Sequence, residues 1–268
     1  MSLEKAAANS ALPIVQMHGI EKYYGAVAAL RGMDLDLHRG EAVGIVGDNG
    51  AGKSTLMKIL CGAVQPSRGE IVLDGIRVAF KSPHEARLSG IEIVYQDLAV
   101  IGHLNVSQNV FLGREETKSV LGVRLLDNRK MEAATQNLLS RLDPTLKHRV
   151  RASIDDLSGG QKQSVAVARA MAFDPKVMIL DEPTAALSVE KIERMLNLIR
   201  SLKESGLAVI LISHRIQDIM SVCDRVLVMK SGTLVKSLEV RTTDVDQIVK
   251  LMVTGGEGDT AATRPAAV

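Results

Sequence analysis

A glycine-rich segment near the start of the chain has the residue types and spacing of a loop that binds phosphate. It fits GxxxxGK[ST] at every fixed position and reads Gly47, Asp48, Asn49, Gly50, Ala51, Gly52, Lys53 and Ser54, which we call the phosphate loop. Its glycines allow backbone amides to converge on phosphate oxygens, and Lys53 is expected to neutralise charge on the β- and γ-phosphates. Ser54 is placed to give its hydroxyl to Mg²⁺, and Thr55 to reach the α-phosphate. The segment predicts a nucleotide site.

Two acidic residues follow an apolar run further along the chain. The run Val177 to Leu180 leads directly into Asp181 and Glu182, which we call the acid pair. A strand there would end beside the phosphate loop, so we expect Asp181 to hold the water shell of the metal and Glu182 to orient and polarise the attacking water. Two acids after a strand also suit an ordinary surface turn, and it is the phosphate loop that favours the catalytic interpretation.

A second candidate receptor for phosphate lies far from the loop. Leu157 to Gln161, the signature segment, reads LSGGQ and leads into an amphipathic run that continues to Phe173. A helix beginning there would present bare amides at Ser158, Gly159 and Gly160. One nucleotide does not need two distant receptors in one chain. We therefore expect two chains to face each other with two-fold symmetry, each offering its signature segment to the nucleotide of the other.

Short apolar runs alternate with helical patterns and must position these motifs. The runs lack polar alternation, as expected of strands buried on both faces of a parallel sheet, and they are Ala42 to Val46, Val177 to Leu180, Ala208 to Ile212 and Arg225 to Met229. Helical patterns follow at Lys53 to Cys61, Val189 to Glu204 and Ile216 to Val222. This rhythm predicts an α/β fold with a doubly wound sheet and ligands at the carboxyl ends of its strands.

Two parts of the chain break the rhythm. Residues 13–38 and about 69–80 alternate like strands around an Asp74-Gly75 turn signal, which predicts a small antiparallel sheet. Residues 97–157 read as mostly helical, with leucines at helical spacing, so we expect an inserted helical subdomain, the helical insert. Residues 1–12 and 255–268 have the composition of loose tails, which leaves 13–254 for the folded domain.

The composition is that of an ordinary globular domain. The chain has 268 residues, 24% charged and 46% hydrophobic, with a net charge of +2. Its basic residues between Arg124 and Arg151 fit a solvated helix face better than a nucleic-acid surface. No apolar run approaches the roughly 18 to 20 residues of a membrane span, and the N-terminus has no apolar signal segment. Cys61 and Cys223 form no metal-type pair, which favours a reduced cytosolic protein.

The phosphate loop, the signature segment and the acid pair, in this order, resemble the ATP-binding cassette (ABC) family over about residues 13–252. The resemblance implies a P-loop NTPase fold with a RecA-like parallel core, which binds ATP and Mg²⁺ and hydrolyses ATP. It implies that Gln96 senses the metal and the water and links the core to the helical insert. It also implies that His214 contacts the γ-phosphate.

Two positions leave alternatives open. The resemblance implies that Tyr24 stacks on adenine. Tyr23 competes for that role, and packing against the fold is the alternative role for either ring. Many family members place Asp where this chain has Ser188. We expect Ser188 to cap the following helix, with Glu190 in the first turn, or to form an uncharged hydrogen bond across a dimer.

A finer resemblance points to the ATP-binding subunits of sugar importers of the ribose, xylose and fructose type. It is carried by Gly47 to Asn49, Tyr95 to Asp97 and Leu104 to Glu115. Many members of that group fuse two cassettes, and the single cassette here narrows the match towards the fructose type. The implied partners are integral membrane permease subunits that dock on the helical insert, a second copy of this chain in an ATP-dependent homodimer and, indirectly, a periplasmic or extracellular solute-binding protein. The implied location is peripheral, at the cytoplasmic face of the cell membrane, without nucleic acid.

Three other functions compete with sugar import. An importer of amino acids or another small solute would use the same motifs. A non-transport cassette ATPase would normally show tandem cassettes or a long coiled-coil insertion. A P-loop kinase would need an acceptor site and would lack the signature segment.

Overall fold

A computed structural model describes residues 12–120, 122–185 and 187–256. Apart from Leu12, Gly255 and Gly256, the expected tails at 1–12 and 255–268 lie outside these ranges. The strands are β1 (Val15–Tyr24), β2 (Val27–Leu37), β3 (Ala42–Val46), β4 (Arg68–Leu73), β5 (Ile76–Val78), β6 (Ile91–Val94), β7 (Thr117–Val120), β8 (Val123–Leu126), β9 (Val177–Asp181), β10 (Ala208–Ile212), β11 (Arg225–Lys230) and β12 (Thr233–Glu239). The α-helices are α1 (Lys53–Leu60), α2 (Pro83–Leu88), α3 (Val106–Val110), α4 (Asn128–Leu142), α5 (Gly159–Met171), α6 (Val189–Glu204), α7 (Ile216–Val222) and α8 (Val245–Thr254). Short 3₁₀ turns lie at Pro144–Leu146, Ile154–Asp156 and Val240–Thr242.

The central sheet positions the predicted motifs. Within the described ranges its strand order is β12-β11-β3-β10-β9-β6, and every neighbouring pair is parallel except β11 with the edge strand β12. The predicted apolar runs are confirmed as β3, β9, β10 and β11, because side chains buried on both faces must be apolar. Ile212 of β10 pairs with Ile45 on one side and with Asp181 on the other. The phosphate loop and the acid pair therefore leave the sheet at the same edge, one strand apart.

The predicted antiparallel sheet is also confirmed. Its order is β2-β1-β4-β5. Asp74 (φ 50°) and Gly75 (φ 77°) make the two-residue turn between β4 and β5, where left-handed residues match the twist of the strands. Leu30 and Leu37 of this sheet share one core with Ile45 of the central sheet and Leu56 of α1. That shared core fixes β2 against the phosphate loop.

The helical insert has its own small core, but it is not wholly helical. Val106, Val110 and Leu139 pack in one cluster with Val165 and Ala168 of α5, so the helix that begins in the signature segment belongs to this core as well. The expectation of a mostly helical insert misses β7 and β8, which pair as an antiparallel hairpin. Gly122 (φ 81°) lies in the turn, and both strands are exposed along their whole length. The two exposed strands have no alternation of apolar and polar residues imposed by burial, so the sequence pattern did not separate them from the helical segments on either side.

A buried ion pair joins the insert to the central sheet. Arg114 pairs with Glu92 of β6, and both side chains are largely buried. The Arg114 guanidinium also lies 4.1 Å from the centroid of the Phe173 ring. Burial raises the pKa of Glu92, and the charge of Arg114 opposes that rise. Truncating either partner would leave a poorly solvated charge, so this pair is a structural link.

The segment Leu104 to Glu115 is less accessible than expected of a surface that receives a partner. Most of its side chains are buried or half-buried, and only Gly113 and Glu115 are exposed. Asn109, which is fully buried, bonds the backbone of Ile101 through both ends of its amide. The resemblance in this segment thus lies mainly in residues that build the insert. None of the helices in the described ranges is both long enough and apolar enough to cross a membrane.

Candidate functional site

The phosphate loop connects the end of β3 to the start of α1. Gly52 precedes α1 in the left-handed region (φ 101°), and no side chain caps the helix. The first amides of α1 are therefore free to bind an anion. A Cβ on Gly47 would lie 2.3 Å from the carbonyl oxygen of Met229, and one on Gly52 would lie 2.8 Å from that of Ala29. The loop needs glycine at these two positions because backbone from β11 and β2 packs directly against it.

Lys53 bends back over the loop. Its Nζ donates to the carbonyl oxygens of Gly47 at 2.5 Å and Asp48 at 3.0 Å. Burial lowers the pKa of Lys53, and the charges of Glu182, Asp48 and Asp181 oppose that change. A phosphate group in the loop would offer this ammonium a charged acceptor, which is a stronger partner than a neutral carbonyl.

Glu182 is held by its backbone and by its side chain. Its backbone is left-handed (φ 52°), a conformation that costs a non-glycine residue on the order of 1 kcal/mol, and its amide donates to Ile212 O at 2.9 Å. Oε2 of Glu182 lies 2.6 Å from Nδ1 of His214. The Glu182 side chain is 15% exposed and that of His214 67%. The carboxylate is thus fixed at the sheet edge, and the imidazole stands in the open beside it.

Asp181 lies at the last position of β9 and is half-buried. Burial raises the pKa of Asp181, the neighbouring charge of Glu182 adds to the rise, and Lys53 opposes it. A divalent cation would relieve the repulsion between the two carboxylates. Asp181, the hydroxyl of Ser54 and the amide of Gln96 supply the oxygen donors that magnesium prefers, so these residues fit a Mg²⁺ ion bound with phosphate.

The raised pKa of Asp181 predicts that this functional carboxylate lowers the stability of the nucleotide-free fold. A carboxyl whose pKa is higher in the folded chain than its ordinary value of 3.8 destabilises the fold when ionised. Asp181→Asn should therefore raise the unfolding temperature of the nucleotide-free protein at pH 7.5, by about 1–3 °C because solvent screens the charge. The gain should shrink as the pH falls through the raised pKa of the folded chain, and it should vanish below pH 3.8, where wild-type Asp181 is protonated in both the folded and the unfolded state. Calorimetry across this pH range is the test, and a lower unfolding temperature for Asp181→Asn at pH 7.5 would contradict it.

One cleft of about 480 Å³ collects most of the predicted phosphate-site residues. Its lining comprises Val46, Gly47, Asp48, Asn49, Lys53, Gln96, Glu182, Ser213, His214, Ile216 and Met252. Gly50, Ala51 and Gly52 complete the loop, while Ser54 and Thr55 lie in the first turn of α1, Ser54 exposed and Thr55 half-buried. Residues from five separated stretches of the sequence therefore meet at one opening.

The two tyrosines that compete for adenine are not among the described residues that line this cleft. Tyr23 and Tyr24 are 45% and 48% exposed. The Tyr23 hydroxyl donates to Glu21 Oε2 at 3.3 Å, and Lys22 Nζ lies 5.3 Å from the centroid of the Tyr24 ring. Both rings keep solvent-facing surface for stacking, and the choice of Tyr24 over Tyr23 stays a prediction.

The signature segment forms a helix start of its own. Ser158 is the N-cap of α5, with its Oγ accepting from the Gln161 amide at 3.4 Å and its own amide donating to Gln161 Oε1 at 3.1 Å. The amides of Gly159 and Gly160 lie before the first intrahelical acceptor and remain available to an anion. Ser158, Gly160 and Gln161 line a second cleft, of about 850 Å³, between α6 and the end of α4. In the described part of the chain, no signature residue lines the phosphate cleft.

Ser188 occupies the predicted N-cap position but does not cap. Its backbone is extended (φ −69°, ψ 157°) ahead of α6, yet its side chain makes no capping hydrogen bond. Glu190 lies in the first turn, as expected, and its carboxylate pairs with Arg194 one turn further on. The expectation of a side-chain cap at Ser188 is therefore wrong, and the exposed hydroxyl keeps its bonding capacity.

Three buried polar residues near Glu182 were missed by the sequence analysis. Gln163 of α5 donates through Nε2 to the carbonyl oxygen of Pro183. Thr184 donates through Oγ1 to Oδ2 of Asp218 at 2.6 Å. All three side chains are buried. The sequence offered one sign of this network: the polar Gln163 lies at helical spacing on the same face as the apolar Ala166, Val167 and Ala170, which indicates a buried polar side chain.

Comparison with known proteins agrees with this geometry. The family model described as ABC transporter matches residues 30–185. The xylose/arabinose import ATP-binding protein XylG of Sulfolobus acidocaldarius is 41% identical over 239 residues, which are 89% of this chain and 93% of that protein. The fructose import ATP-binding protein FrcA of Rhizobium meliloti is 46% identical over 223 residues, 82% of this chain and 86% of its own. A solved dimeric ATP-binding cassette in a post-hydrolysis state, bound to ADP and Pi, is 25% identical, with a TM-score of 0.72 over 85% of this chain and all of that chain.

Proposed function

Because this chain belongs to the ABC transporter family and is an ATPase of that family, we propose that it energises a membrane importer of a monosaccharide, fructose or a pentose. The names of the two relatives, one for xylose and arabinose and one for fructose, support the class of solute. The transported solute does not touch an ATP-binding subunit. Similarity between such subunits indicates the solute only indirectly, because each subunit must fit the membrane partner that carries the solute.

The observation that carries the catalytic part is the contact between Glu182 and His214 at the mouth of the phosphate cleft. Lys53 and the loop amides bind the β- and γ-phosphates of ATP. Glu182 accepts a hydrogen bond from the attacking water and polarises it for in-line attack on the γ-phosphate. His214 orients the Glu182 carboxylate and presents its other ring nitrogen to the γ-phosphate.

The remaining predicted site residues are assigned to magnesium and to the adenine of ATP. Ser54, Asp181 and Gln96 would hold Mg²⁺, which when bound neutralises charge on the phosphates. Gln96 lines the cleft two residues after the end of β6, where the chain leaves the sheet for the helical insert. It can therefore report the state of the phosphates to the insert. Tyr24 would stack on adenine.

The assembly is a symmetric sandwich of two copies of this chain. Each signature segment faces a cleft separate from the phosphate cleft of its own chain, which supports its use on the nucleotide of the partner. The ATP-bound pair would dock on integral membrane permease subunits and act with a solute-binding protein outside the membrane. The chain would then lie peripherally at the cytoplasmic face of the cell membrane.

Loss of uptake is the test of the solute class. Deleting the gene should impair uptake of fructose or a pentose at low external concentration, where import depends most on an energised system. Radiolabelled uptake across a small panel of sugars and amino acids measures it. Wild-type chain should restore uptake and Glu182→Gln should not, which ties the loss to ATP hydrolysis. Normal sugar uptake with lost amino-acid uptake would overturn the sugar assignment and leave the ATPase mechanism standing.

A further inference from the structure

A buried amide connects the signature helix to the backbone beside Glu182. Gln163 is 6% exposed and donates through Nε2 to the carbonyl oxygen of Pro183, the residue that follows Glu182. Gln163 belongs to the same helix whose N-cap is Ser158. Gln163 lies five positions after Ser158, about 7.5 Å along the helix axis. A contact to the nucleotide of the partner and a contact to the catalytic strand end are therefore carried by one short, rigid element.

The segment after Glu182 is held from its other side by α7. Thr184 Oγ1 donates to Asp218 Oδ2 at 2.6 Å, and Asp218 also pairs with Arg215 at 3.3 Å. The helix that carries Asp218 begins two residues after His214. Glu182 itself is left-handed, so its side-chain direction depends on how the following residues are restrained. Of these two restraints, the bond from Gln163 comes from α5, which packs against the helical insert, and the bond from Asp218 comes from the catalytic core.

We infer that Gln163 is a positioning residue, which makes the placement of Glu182 depend on how the signature segment of the same chain is docked. The inference rests on the proposed function, because it needs the signature segment to bind the nucleotide of the partner. When α5 shifts against the partner, its bond to Pro183 O moves the backbone that directs Glu182. Hydrolysis in one site then requires that the same chain has closed on the other site.

A purely structural role makes a different prediction. If Gln163 only satisfies a buried carbonyl, its loss lowers stability and leaves the turnover of the folded protein unchanged. If it positions Glu182, kcat falls while KM for ATP stays the same, because the phosphate loop is untouched. The split between kcat and KM separates the two roles.

Gln163→Met is the primary variant, since methionine keeps the length of the side chain and removes the donor. We expect kcat for ATP hydrolysis to fall about tenfold or more, as for a catalytic group displaced by part of an ångström, with KM within about twofold of wild type. Val167→Ala is the matched control, because Val167 is buried on the same face of α5 and makes no polar link to Glu182. It should lower the unfolding temperature and leave kcat near wild type. Wild-type kcat in folded Gln163→Met would overturn the inference.

A double-variant cycle tests the dependence on docking. Ser158→Ala and Gln163→Met should lower kcat by less together than the product of their separate effects, because both interrupt the same route. Fully multiplicative effects would contradict that route. The wild-type protein is the reference for the proposed function: if it hydrolyses no ATP, the proposed function fails, whereas an active wild type with an unaffected Gln163→Met rejects only the role of Gln163.

Amide hydrogen exchange on the wild-type chain keeps the inference testable if Gln163→Met does not fold. Adding a non-hydrolysable ATP analogue at concentrations that form the dimer should slow exchange in the first turns of α5 and in Thr184 and Ala185 together. Protection of α5 without any change at Thr184 and Ala185 would overturn the inference.

Discussion

Glu182→Gln should lower the rate of ATP hydrolysis at least a hundredfold and leave the affinity for ATP within about twofold of wild type. Glutamine keeps the size of the side chain and can still bond His214, but its neutral amide polarises water far less than a carboxylate. The hydrogen bonds of the Glu182 side chain and amide go to His214 and to the backbone of Ile212 rather than to the phosphate loop, so ATP binding should survive. Phosphate release at saturating ATP and binding of a fluorescent ATP analogue give the two numbers. Retention of more than a tenth of the wild-type rate would show that Glu182 is not the residue that activates water.

Lys53→Ala is the informative counterpart, because it should fail at the earlier step. Lys53 Nζ lies over the loop, bonded to Gly47 and Asp48, where the β- and γ-phosphates would bind. Removing that charge should weaken ATP binding itself by tenfold or more, since charge-assisted bonds to phosphate are among the strongest polar contacts. The same binding assay separates the two variants. Unchanged ATP affinity in Lys53→Ala would contradict the phosphate-binding role of the loop lysine.

The sequence predicted the sheet well where burial constrains composition on both faces. The strand Ala208–Ile212 and the helices Val189–Glu204 and Ile216–Val222 have the predicted bounds. A strand covered by helices on both sides admits only apolar residues, so it appears in the sequence as a short uninterrupted apolar run. A surface helix has polar residues on one side and does not produce such a run. The two-residue turn at Asp74-Gly75 was predictable for a related reason, because few residue pairs tolerate two left-handed conformations in succession.

The hairpin in the helical insert shows the limit of that reasoning. Thr117–Val120 and Val123–Leu126 are exposed on both faces, so no buried side imposes an alternation of apolar and polar residues. The remaining signal was Gly122 between valine-containing runs, which is weak beside the helical pattern that surrounds it. Periodicity identifies elements that pack against a core, whereas every residue of the two strands that the structure describes here is exposed.

The candidate site divides in the same way. The phosphate loop, the acid pair and the signature segment are short motifs whose chemistry depends on residues adjacent in sequence. They can therefore be identified from the sequence alone. The contacts of Gln163 with Pro183 and of Thr184 with Asp218 join residues 20 and 34 positions apart. Their importance follows from burial, which the fold decides and the residue types do not. At Ser188 the sequence predicted a contact that the structure does not show. Its position before a helix was predicted correctly, but its side chain makes no capping hydrogen bond.

Assembly should depend on Ser158 as strongly as turnover depends on Glu182. The isolated chain should be largely monomeric, and Glu182→Gln should shift towards twice the monomer mass when ATP is added, because bound ATP that is not hydrolysed keeps the two copies together. Adding Ser158→Arg should block that shift, since a long cationic side chain at the start of α5 fills the space in which the partner's phosphates would meet the amides of Gly159 and Gly160. Light scattering with and without ATP measures the mass.

Loss of the helix cap has to be separated from this steric effect. Ser158 Oγ accepts from the Gln161 amide, so replacing Ser158 by arginine or by alanine removes a capping bond of about 1 kcal/mol. Ser158→Ala in the Glu182→Gln background is the matched control, because it removes the cap and adds no bulk. It should weaken the ATP-dependent dimer and leave it detectable at higher protein concentration, whereas Ser158→Arg should stay monomeric with ATP still bound. An ATP-dependent dimer that persists in the Ser158→Arg double variant would place the signature segment outside the interface and count against the sandwich.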